Sequence, residues 1–377
     1  MRPFWLQQAL DSAQEAVCPP LQGDTRCDVC IVGGGYTGLW TALMLKEAVP
    51  ALDVVLIEAD ICGAGASGRN GGCALSWSAK YFTLERLFGA AEAVRLVRES
   101  ERSIADIGVF CAANGIDCDY RLDGTLYTAT NAAQVGATDA VIAALEHKGI
   151  NSFRRLPLEQ VQRLAGSGRH LEGWFSPAAA TVQPGKLVRG LRRVALQRGV
   201  RLYEGTAMTG LEHGAPVQVR TAHGTLRADR VVLGLNAWMA RVFPQFERSV
   251  AIVSSDMVIT EPCPELLRQI GLDSGISVLD SRIFVHYYHN TSDGRLMLGK
   301  GGNTFAYGGR MLPVFDQPSP YRRLLRESLG GFFPALAEVP LAASWNGPSD
   351  RSVTGLPFFG RLDGQGNVFY GFGYSGS

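Results

Sequence analysis

The chain has 377 residues, of which 46% are hydrophobic and 19% are charged, and its formal net charge is +1. This length fits about two or three domains, and the apolar content is enough for a large core, so the composition excludes a disordered chain. A net charge near zero, without a basic stripe, gives no basis for nucleic acid or an anionic membrane surface as a partner.

The first ten residues, MRPFWLQQAL, lack the apolar segment and small-residue cleavage site of a secretory signal. No stretch approaches the roughly 20 apolar residues that a membrane-spanning helix needs. The eight cysteines show no framework spacing. Cys27 and Cys30 form a C-x-x-C, but they fall in a predicted strand, where residues three apart face opposite sides. The sequence therefore predicts a cytoplasmic protein with structural cysteines and no membrane span.

The first predicted unit, over residues 27–58, is a strand, a tight turn, a helix and a second strand. Gly33, Gly35 and Gly38 provide the spacing G-x-G-x-x-G. The first glycine allows the sharp turn, the second lets the backbone approach a pyrophosphate, and the third lets the helix pack close to the strand. The pyrophosphate would lie at the free amides of the helix that begins near Tyr36. The unit predicts a bound dinucleotide; the alternative is a strand–helix junction without a ligand.

An acidic residue ends the second predicted strand. Glu58 lies 20 residues after Gly38, at the position where a carboxylate accepts hydrogen bonds from ribose hydroxyls. A negative charge there disfavours a 2′-phosphate, so the sequence argues against NADP.

A second loop of small residues, ICGAGASGRNGGCALSW at residues 61–77, follows directly. We expect it to lie against an isoalloxazine ring. Gly71 and Gly72 let the backbone come within hydrogen-bond distance of the ring, and Arg69 and Asn70 offer donors. A nicotinamide enzyme has no need of such a loop after the ribose acid, so the pattern favours FAD over NAD.

The next elements belong to a predicted insertion. An apolar stripe predicts one long helix from Leu84 to Asn114, which ends at Asn114–Gly115. Asp123–Gly124, between alternating residues, predicts a β-hairpin. Residues 131–149 predict another helix.

The remaining chain alternates between the two predicted parts of the molecule. Residues 182–205 predict a helix followed by a strand. Residues 206–238 predict a three-stranded excursion and then a separate buried strand, Val231 to Leu235. Residues 250–311 predict the sheet of a substrate domain, and residues 318–336 one further helix.

The segments GGGYTGLWTA, EAD and GAGASGRNGG, with NVFYGFGYSG near the end, resemble the D-amino-acid oxidase superfamily of FAD-dependent oxidoreductases. Within it they are most similar to the γ-glutamylputrescine oxidase branch. The resemblance implies an α/β fold in which a Rossmann-like FAD-binding domain, of the glutathione-reductase and p-hydroxybenzoate-hydroxylase type, is interleaved with a substrate domain of sheet and helices. The expected FAD-binding domain is 26–80, 165–245 and 340–377; the expected substrate domain is 81–164 and 246–339.

The resemblance implies that FAD is bound without a covalent link. Together with the motifs above, it gives the following expected cofactor residues: Gly33, Gly35, Tyr36, Thr37, Gly38, Glu58, Ala59, Ala66, Ser67, Arg69, Asn70, Gly71, Gly72, Met208, Asn236, Trp238, Gly373, Tyr374, Ser375 and Gly376. The closing segment GFGYSGS matches a loop that holds the N1 and O2 end of the ring and precedes a helix. The sequence ends at Ser377, where that helix would begin.

The resemblance also implies a reaction. A hydride would pass from a carbon that bears an amine to flavin N5, and the resulting imine would be hydrolysed by water. The expected partners are a small-molecule amine or amino acid and, for reoxidation of the flavin, oxygen or a quinone.

The sequence departs from relatives that use α-amino acids. Those relatives carry an arginine shortly after a W-x-G, and it grips the substrate carboxylate through two parallel hydrogen bonds. Here the W-x-G at 345–347 is followed by Ser349 at the matching position, with Arg351 two residues further on. This difference favours an amine that lacks an α-carboxylate.

Three residues are candidates for catalysis. Tyr287 and His289 share one face of a predicted strand and could line the pocket over the flavin, although a structural role stays open for them, as for His286 and Tyr288 on the other face. Lys300 could assist reoxidation, hold an acidic substrate tail, or be solvated. The branch usually has arginine at position 289 and glycine at position 300. These departures leave open a non-catalytic flavin-binding accessory or sensor protein, and a secondary-amine oxidase of the sarcosine type.

Overall fold

A computed structural model describes residues 2–13, 15–282, 284–362, 364 and 366–376. Within these residues the α-helices are α1 (Phe4–Ser12), α2 (Tyr36–Ala48), α3 (Tyr81–Phe88), α4 (Ala90–Ala113), α5 (Asp139–His147), α6 (Leu158–Leu164), α7 (Pro184–Gln197), α8 (Met239–Val242), α9 (Pro264–Gln269) and α10 (Arg322–Phe332). The strands are β1 (Thr25–Val32), β2 (Val54–Ile57), β3 (Cys73–Leu75), β4 (Thr125–Ala129), β5 (Arg154–Arg155), β6 (Glu172–Ser176), β7 (Ala179–Thr181), β8 (Arg201–Tyr203), β9 (Gly210–Glu212), β10 (Val217–Arg220), β11 (Thr225–Leu233), β12 (Val250–Thr260), β13 (Ser277–Asp280), β14 (His286–Asn290), β15 (Leu296–Ala306), β16 (Leu341–Ser352), β17 (Phe358–Arg361) and β18 (Val368–Phe372).

The first sheet has the strand order β17-β18-β11-β1-β2-β8, and the β9–β10 hairpin extends it by pairing with β11. β1 runs parallel to β2 and β11, and β18 runs parallel to β11. β2 is buried over its whole length and consists of aliphatic residues, as expected for a parallel strand that is covered on both faces. α2 and α7 cover one of those faces, where Leu39 and Leu43 pack with Leu187 and Leu191.

The second sheet has the strand order β16-β12-β15-β14-β13-β4-β6-β5. β4 and β13 are parallel, and the other pairs are antiparallel. α10 covers one face, where Leu325 and Leu329 pack with Val258 and Leu298. The opposite face points toward the loop that follows β2. β3 and β7 form a separate two-stranded sheet, and each of them lies along the chain between a strand of the first sheet and a strand of the second.

The long helix predicted from Leu84 to Asn114 is wrong in one respect, because the chain forms two helices, α3 and α4. Gly89 separates them with φ +81. Its amide donates to the carbonyl of Glu85 at the end of α3, and its carbonyl accepts a hydrogen bond from the amide of Ala93 at the start of α4. Glycine adopts this left-handed conformation without strain. The apolar stripe continues across the break, so periodicity alone gives no sign of it.

The hairpin predicted at Asp123–Gly124 is also wrong. β4 pairs with β13 and β6, which come from distant parts of the chain. Asp123 Oδ2 accepts from the amide of Gly275, and the amide of Gly124 donates to the carbonyl of Ala179. Gly124 has φ +88. Neighbouring strands also approach it closely, because Phe175 lies 2.6 Å from its ideal Cβ position.

One further expectation needs correction. The predicted third strand of the excursion and the buried strand from Val231 to Leu235 are one continuous strand, β11, which ends at Leu233. Cys27 and Cys30 both belong to the buried cluster of the first sheet. Their thiols are free, and burial raises the pKa of Cys27 to about 12, as expected for inert structural cysteines.

The two sheets interleave along the chain, since each takes strands from separated segments. β6 and β16 lie in the second sheet, although the sequence placed their residues in the FAD-binding segments 165–245 and 340–377. The composition of the chain does not change at either strand, so it could not mark these boundaries.

Candidate active site

The glycine turn between β1 and α2 leaves no room for side chains at two positions. Gly33 has φ +112, and a Cβ there would lie 2.5 Å from the carbonyl oxygen of Gly234. A Cβ on Gly38 would overlap the carbonyl oxygen of Gly33. The ideal Cβ of Gly35 would lie 2.9 Å from Ser67 Oγ. The turn therefore presents bare backbone toward the second loop, which is the arrangement that a pyrophosphate requires.

The first turn of α2 is connected to three distant parts of the chain. The amide of Tyr36 donates to Ser67 Oγ at 2.9 Å. The Tyr36 hydroxyl donates to the carbonyl of Pro184 at 3.0 Å, and Thr37 Oγ1 lies 2.6 Å from the hydroxyl oxygen of Tyr374. The glycine turn, the second loop and the closing segment therefore meet at one place.

Glu58 lies beside the glycine turn. Its Oε2 accepts from the amide of Gly34 at 2.7 Å, and its Oε1 accepts from the amide of Asp60 at 3.0 Å. Burial raises the pKa of the Glu58 carboxyl, while these two amides act in the opposite direction. Ala59 is exposed next to it, and Met208 is half-buried against the core of the first sheet.

Arg69 is used inside the protein. Only 6% of it is exposed, and its Nε donates to the carbonyl of Ala64 at 2.9 Å. Its two terminal nitrogens donate to the carbonyl of Phe315 and to the carboxylate of Asp316, both at 2.8 Å. The sequence suggested that Arg69 offers donors to a ring. The structure instead commits all three nitrogens to protein acceptors.

Asn70 also stabilises the second loop from within. Its Nδ2 donates to the carbonyl of Ser67 at 2.9 Å and more weakly to that of Ala66, while its Oδ1 accepts from the amide of Gly72 at 2.9 Å. Both side-chain ends are thus occupied by the loop backbone. Asn70 therefore fixes the loop's conformation, and the carbonyl of Gly72 is bound in the same way, because it accepts from the amide of Val182 at 2.8 Å.

Gly71 is the point where the second loop contacts the second sheet. A Cβ on Gly71 would overlap the ring of Tyr287. The two ring nitrogens of His289 lie 2.8 Å from the carbonyl oxygens of Gly71 and Asn290. His289 is 2% exposed, and burial lowers the pKa of its imidazole. Two of the three predicted catalytic residues therefore lie together against the loop.

An aromatic cluster from α1 lies behind this contact. The Trp5 ring is stacked on the His289 imidazole with centroids 6.4 Å apart, and it meets Trp345 edge-on at 5.6 Å. Trp345 Nε1 donates to the carbonyl of Arg69 at 2.8 Å. α1 therefore supports the loop at both Arg69 and Gly71.

Asn236 and Trp238 follow β11 at the rim of the loop. Asn236 has φ +48, and its Oδ1 is buried with no hydrogen-bond partner among the residues that the structure describes. The Trp238 ring lies 3.7 Å from the ideal Cβ position of Gly65. A buried acceptor without a donor fits a ligand that supplies one.

The closing turn, Gly373 to Gly376, is organised by a buried carboxylate. The amide of Gly373 donates to Asp350 Oδ2, and the amide of Ser375 donates to the carbonyl of Asp350 at 3.1 Å. Asp350 is 1% exposed; burial raises the pKa of its carboxyl to about 6, while the amides of Gly373, Tyr374 and Ser375 oppose the shift. The turn therefore directs amides at Asp350, and sequence reasoning gave no role to this residue.

One side of the second sheet, the loop face, carries Ser255, Tyr287, Ser349 and Arg351 toward the second loop. The Tyr287 hydroxyl oxygen lies 2.7 Å from Ser255 Oγ. Ser349 Oγ and Arg351 Nη2 lie 4.0 and 3.9 Å from the ideal Cβ position of Gly376. Ser349 and Arg351 thus share a face, which follows from the two-residue period of a strand. From the sequence, Arg351 was expected to lie two residues away from the matching position, although the two-residue period of a strand would have placed it on the same face as Ser349.

Lys300 lies on the opposite side of the same sheet. It is in register with His286, one residue from the Tyr287 position. Its Nζ donates to Asn303 Oδ1 at 2.9 Å, and Asn303 in turn donates to Asp256 Oδ2 at 3.0 Å. The structure therefore does not bring Lys300 to the face where Tyr287 and His289 lie.

Lys80 is a further residue that sequence reasoning missed. Its Nζ donates to the carbonyl of Gly355, close to the end of β16. Burial lowers the pKa of its ammonium group to about 8, and the charge of Arg351 acts in the same direction. No sequence spacing connects Lys80 with Arg351, because the contact exists only in the folded chain.

Two classes of feature are missing from the part of the chain that the structure covers. No group of three or more histidine, cysteine or acidic side chains is placed to hold a metal ion. No helix there has both the length and the apolar character needed to cross a bilayer.

Comparison with known proteins gives a consistent result. A family model described as "FAD dependent oxidoreductase" (DAO) matches residues 28–377. The chain is 33% identical over 352 residues to the gamma-glutamylputrescine oxidoreductase of Escherichia coli, covering 93% of this chain and 79% of that protein. It is 30% identical over 354 residues to the probable oxidoreductase OrdL of Rhizobium meliloti, covering 92% and 78%. Its fold is similar to a glycine oxidase from Geobacillus kaustophilus, with a TM-score of 0.74 at 21% identity, covering 93% and 89%.

Proposed function

Because the chain belongs to the DAO family of FAD-dependent oxidoreductases, we propose that it oxidises the C–N bond of an amine to an imine, which water then hydrolyses. FAD, when bound, supplies the hydride acceptor at flavin N5. The protein supplies binding, orientation and the exclusion of water. The single observation that carries the proposal is the contact at Gly71, where the second loop and the loop face meet.

The residues of the first sheet fit the cofactor. Bare backbone at Gly33 and Gly35 suits a pyrophosphate, and Glu58 next to the turn suits ribose hydroxyls. The unpartnered Oδ1 of Asn236 gives the cofactor a buried acceptor to satisfy. We assign Gly71 and Gly72 to the ring, because residues without side chains let the loop backbone pass close to a ligand.

We assign the substrate to the loop face. Tyr287 lies against Gly71 and would define the wall nearest the reacting carbon. His289 holds the carbonyl of Gly71 and therefore positions the loop. Lys300 has no part in this assignment, because it lies on the other side of the sheet.

A primary amine without an α-carboxylate is the substrate class that we favour. Ser349 occupies the position where relatives of α-amino-acid type carry an arginine, and serine cannot make that paired contact. The name of the E. coli relative, which refers to γ-glutamylputrescine, supports the same class. Oxygen or a quinone would accept the electrons afterwards.

Anaerobic mixing tests this proposal. The FAD-loaded protein is combined with polyamines, N-acylated polyamines, N-methyl amino acids and D-amino acids, and the flavin absorbance is followed. We expect bleaching by amines that lack an α-carboxylate. Bleaching by none of them, with dithionite still reducing the flavin, would favour the non-catalytic flavin-binding protein. Bleaching only by N-methyl amino acids would favour a sarcosine-type oxidase.

The electron acceptor is tested on the reduced protein. Air-saturated buffer and a short-chain ubiquinone are mixed with it separately, and the return of the oxidised flavin spectrum is timed. Fast reoxidation by only one of them assigns the enzyme as an oxidase or as a dehydrogenase.

A further inference from the structure

The loop face contains a buried donor of a charged side chain, that of Arg351. Arg351 Nε is buried and has no hydrogen-bond partner among the described residues, and the same holds for Ser349 Oγ. The guanidinium lies over the Phe284 ring at 5.6 Å. A buried donor of a charged group is costly when it is left unsatisfied. A ligand with acceptor oxygens would remove this cost for both side chains at once.

A second cation lies in the same region. Lys80 is held near the end of β16 through Gly355, and it is close enough to Arg351 for the two charges to repel. Burial also lowers the pKa of Arg351, with Tyr287 acting against the shift. Two desolvated positive charges at one place favour an anion between them.

The register of the sheet fixes where this anion would lie. Tyr287, Gly299, Met257 and Trp345 form one row across four strands. From Trp345, the chain leads away from that row through Gly347 and Ser349 to Arg351.

The Arg351 side chain extends from its own backbone in the direction of the Tyr287 row but does not reach that row. Its Nη2 lies 3.8 Å from the ideal Cβ position of Gly301, which is in register with Ser255. Gly301 lies two residues beyond Gly299, so this row is roughly 7 Å from that of Tyr287. An arginine at position 349, with the same reach, would arrive at the Tyr287 row itself.

We propose that Arg351, with Ser349 and Lys80, forms a subsite for a carboxylate that the amine substrate carries several bonds away from the carbon that is oxidised. The inference rests on the proposed amine oxidation and names its substrate class, an amine with a distal acidic group. It also explains how serine at position 349 is compatible with an anionic substrate. The subsite selects against neutral amines and against α-amino acids.

Binding is tested without turnover. Pentanoate, a carboxylate without an amine, is titrated into the FAD-loaded protein by calorimetry. We expect binding that Arg351→Gln weakens by at least about tenfold, with partial recovery in Arg351→Lys. The matched control is Arg361→Gln, since Arg361 also lies over a phenylalanine ring, that of Phe369 at 5.2 Å, but is exposed on β17. Equal affinities for pentanoate in the wild type and Arg351→Gln would overturn the subsite.

Turnover gives the second test. 5-Aminopentanoate and 1-aminopentane are compared as substrates with an artificial dye as the electron acceptor, so that the reduced flavin is reoxidised, and glycine serves as the α-amino-acid arm. In the wild type we expect 5-aminopentanoate to have the lowest KM, and Arg351→Gln should raise that KM at least about tenfold while leaving the KM for 1-aminopentane unchanged. An unchanged KM for 5-aminopentanoate in the variant contradicts the subsite. If none of the three reduces the flavin while pentanoate still binds through Arg351, amine oxidation fails and the subsite stands.

Discussion

The second loop and the loop face lie against each other but differ in how their polar side chains are hydrogen-bonded. In the loop, the nitrogens of Arg69 and both ends of Asn70 are bound to the protein. On the face, Ser349 and Arg351 keep buried polar atoms that have no hydrogen-bond partner among the residues that the structure describes. A loop that holds one cofactor in one geometry is made rigid when its polar side chains are hydrogen-bonded to the protein itself. A surface that binds a substrate instead keeps hydrogen-bond donors available for that substrate.

The comparison predicts different consequences of mutation. A change in the support of the loop should lower stability together with FAD affinity. A change on the face should alter kinetics and leave both largely intact.

Trp5→Ala removes the ring that supports the loop from behind. Trp5 is 1% exposed and packs between His289 and Trp345, so the truncation should lower the free energy of unfolding by about 3–5 kcal/mol. Urea unfolding of the apoprotein measures this loss, and a fluorescence titration with FAD should show weaker binding. Gln7→Ala, at an exposed position on the same helix, should change stability by less than about 0.5 kcal/mol. Unchanged FAD affinity in Trp5→Ala would mean that α1 only stabilises the core.

Arg69→Met keeps the length of the side chain but leaves the carbonyls of Ala64 and Phe315 without donors. We expect a loss of about 2–4 kcal/mol in the free energy of unfolding, since each buried acceptor without a partner is unfavourable. Thermal and urea unfolding measure it. Arg323→Met is the control, because Arg323 is 93% exposed and its pair with Glu327 contributes little. A loss of the same size in the control would contradict the structural role of Arg69.

Asp350 joins β16 of the loop face to the closing turn, and its titration gives a pH dependence. Its pKa is raised in the folded protein to about 6, from an ordinary value of 3.8, so the folded state favours the protonated form. The stability that this provides is present below pH 3.8 and is lost as the pH rises through 6. Relative to Asp350→Asn, the wild type should therefore lose about 2.4 kcal/mol between pH 4 and pH 7. Urea unfolding across this range tests it, and a difference that does not vary with pH would refute the assignment.

Tyr287→Phe tests the loop face, where we expect a kinetic effect with little loss of stability. Loss of the hydroxyl bond to Ser255 should lower stability by only about 1 kcal/mol, with FAD binding unchanged. We expect kcat/KM to fall by about tenfold, which corresponds to about 1.4 kcal/mol in the transition state. Tyr288→Phe is the matched control, because the Tyr288 hydroxyl donates to Ala165 on the other side of the sheet. It should show the same loss of stability and no kinetic effect; equal kinetics in the two variants would place the substrate elsewhere.

The sequence was most informative where backbone geometry dictates residue type. Gly33 and Gly38 follow from local sterics, and Glu58 lies at a fixed distance from them, so their arrangement is readable from spacing. Glycines fail as a guide where distant strands cause the constraint, as at Gly124. There the Asp123–Gly124 pair between alternating residues predicted a hairpin that the chain does not form.

The loop face could not be assembled from sequence, because its residues come from strands that are far apart along the chain and meet only through pairing. Ser255 and Tyr287 belong to β12 and β14, and Arg351 to β16. Lys300 shows the same limit, since one residue of register decides which side of the sheet it occupies. Trp5 carried no motif at all, and its role depends on packing.

The most direct test of the central claim is a crystal structure of the protein with FAD and pentanoate. The account predicts ribose hydroxyls within hydrogen-bond distance of the Glu58 carboxylate, the flavin ring against Gly71 and Gly72, and the carboxylate at Arg351. A cofactor that contacts neither Glu58 nor the second loop would contradict it.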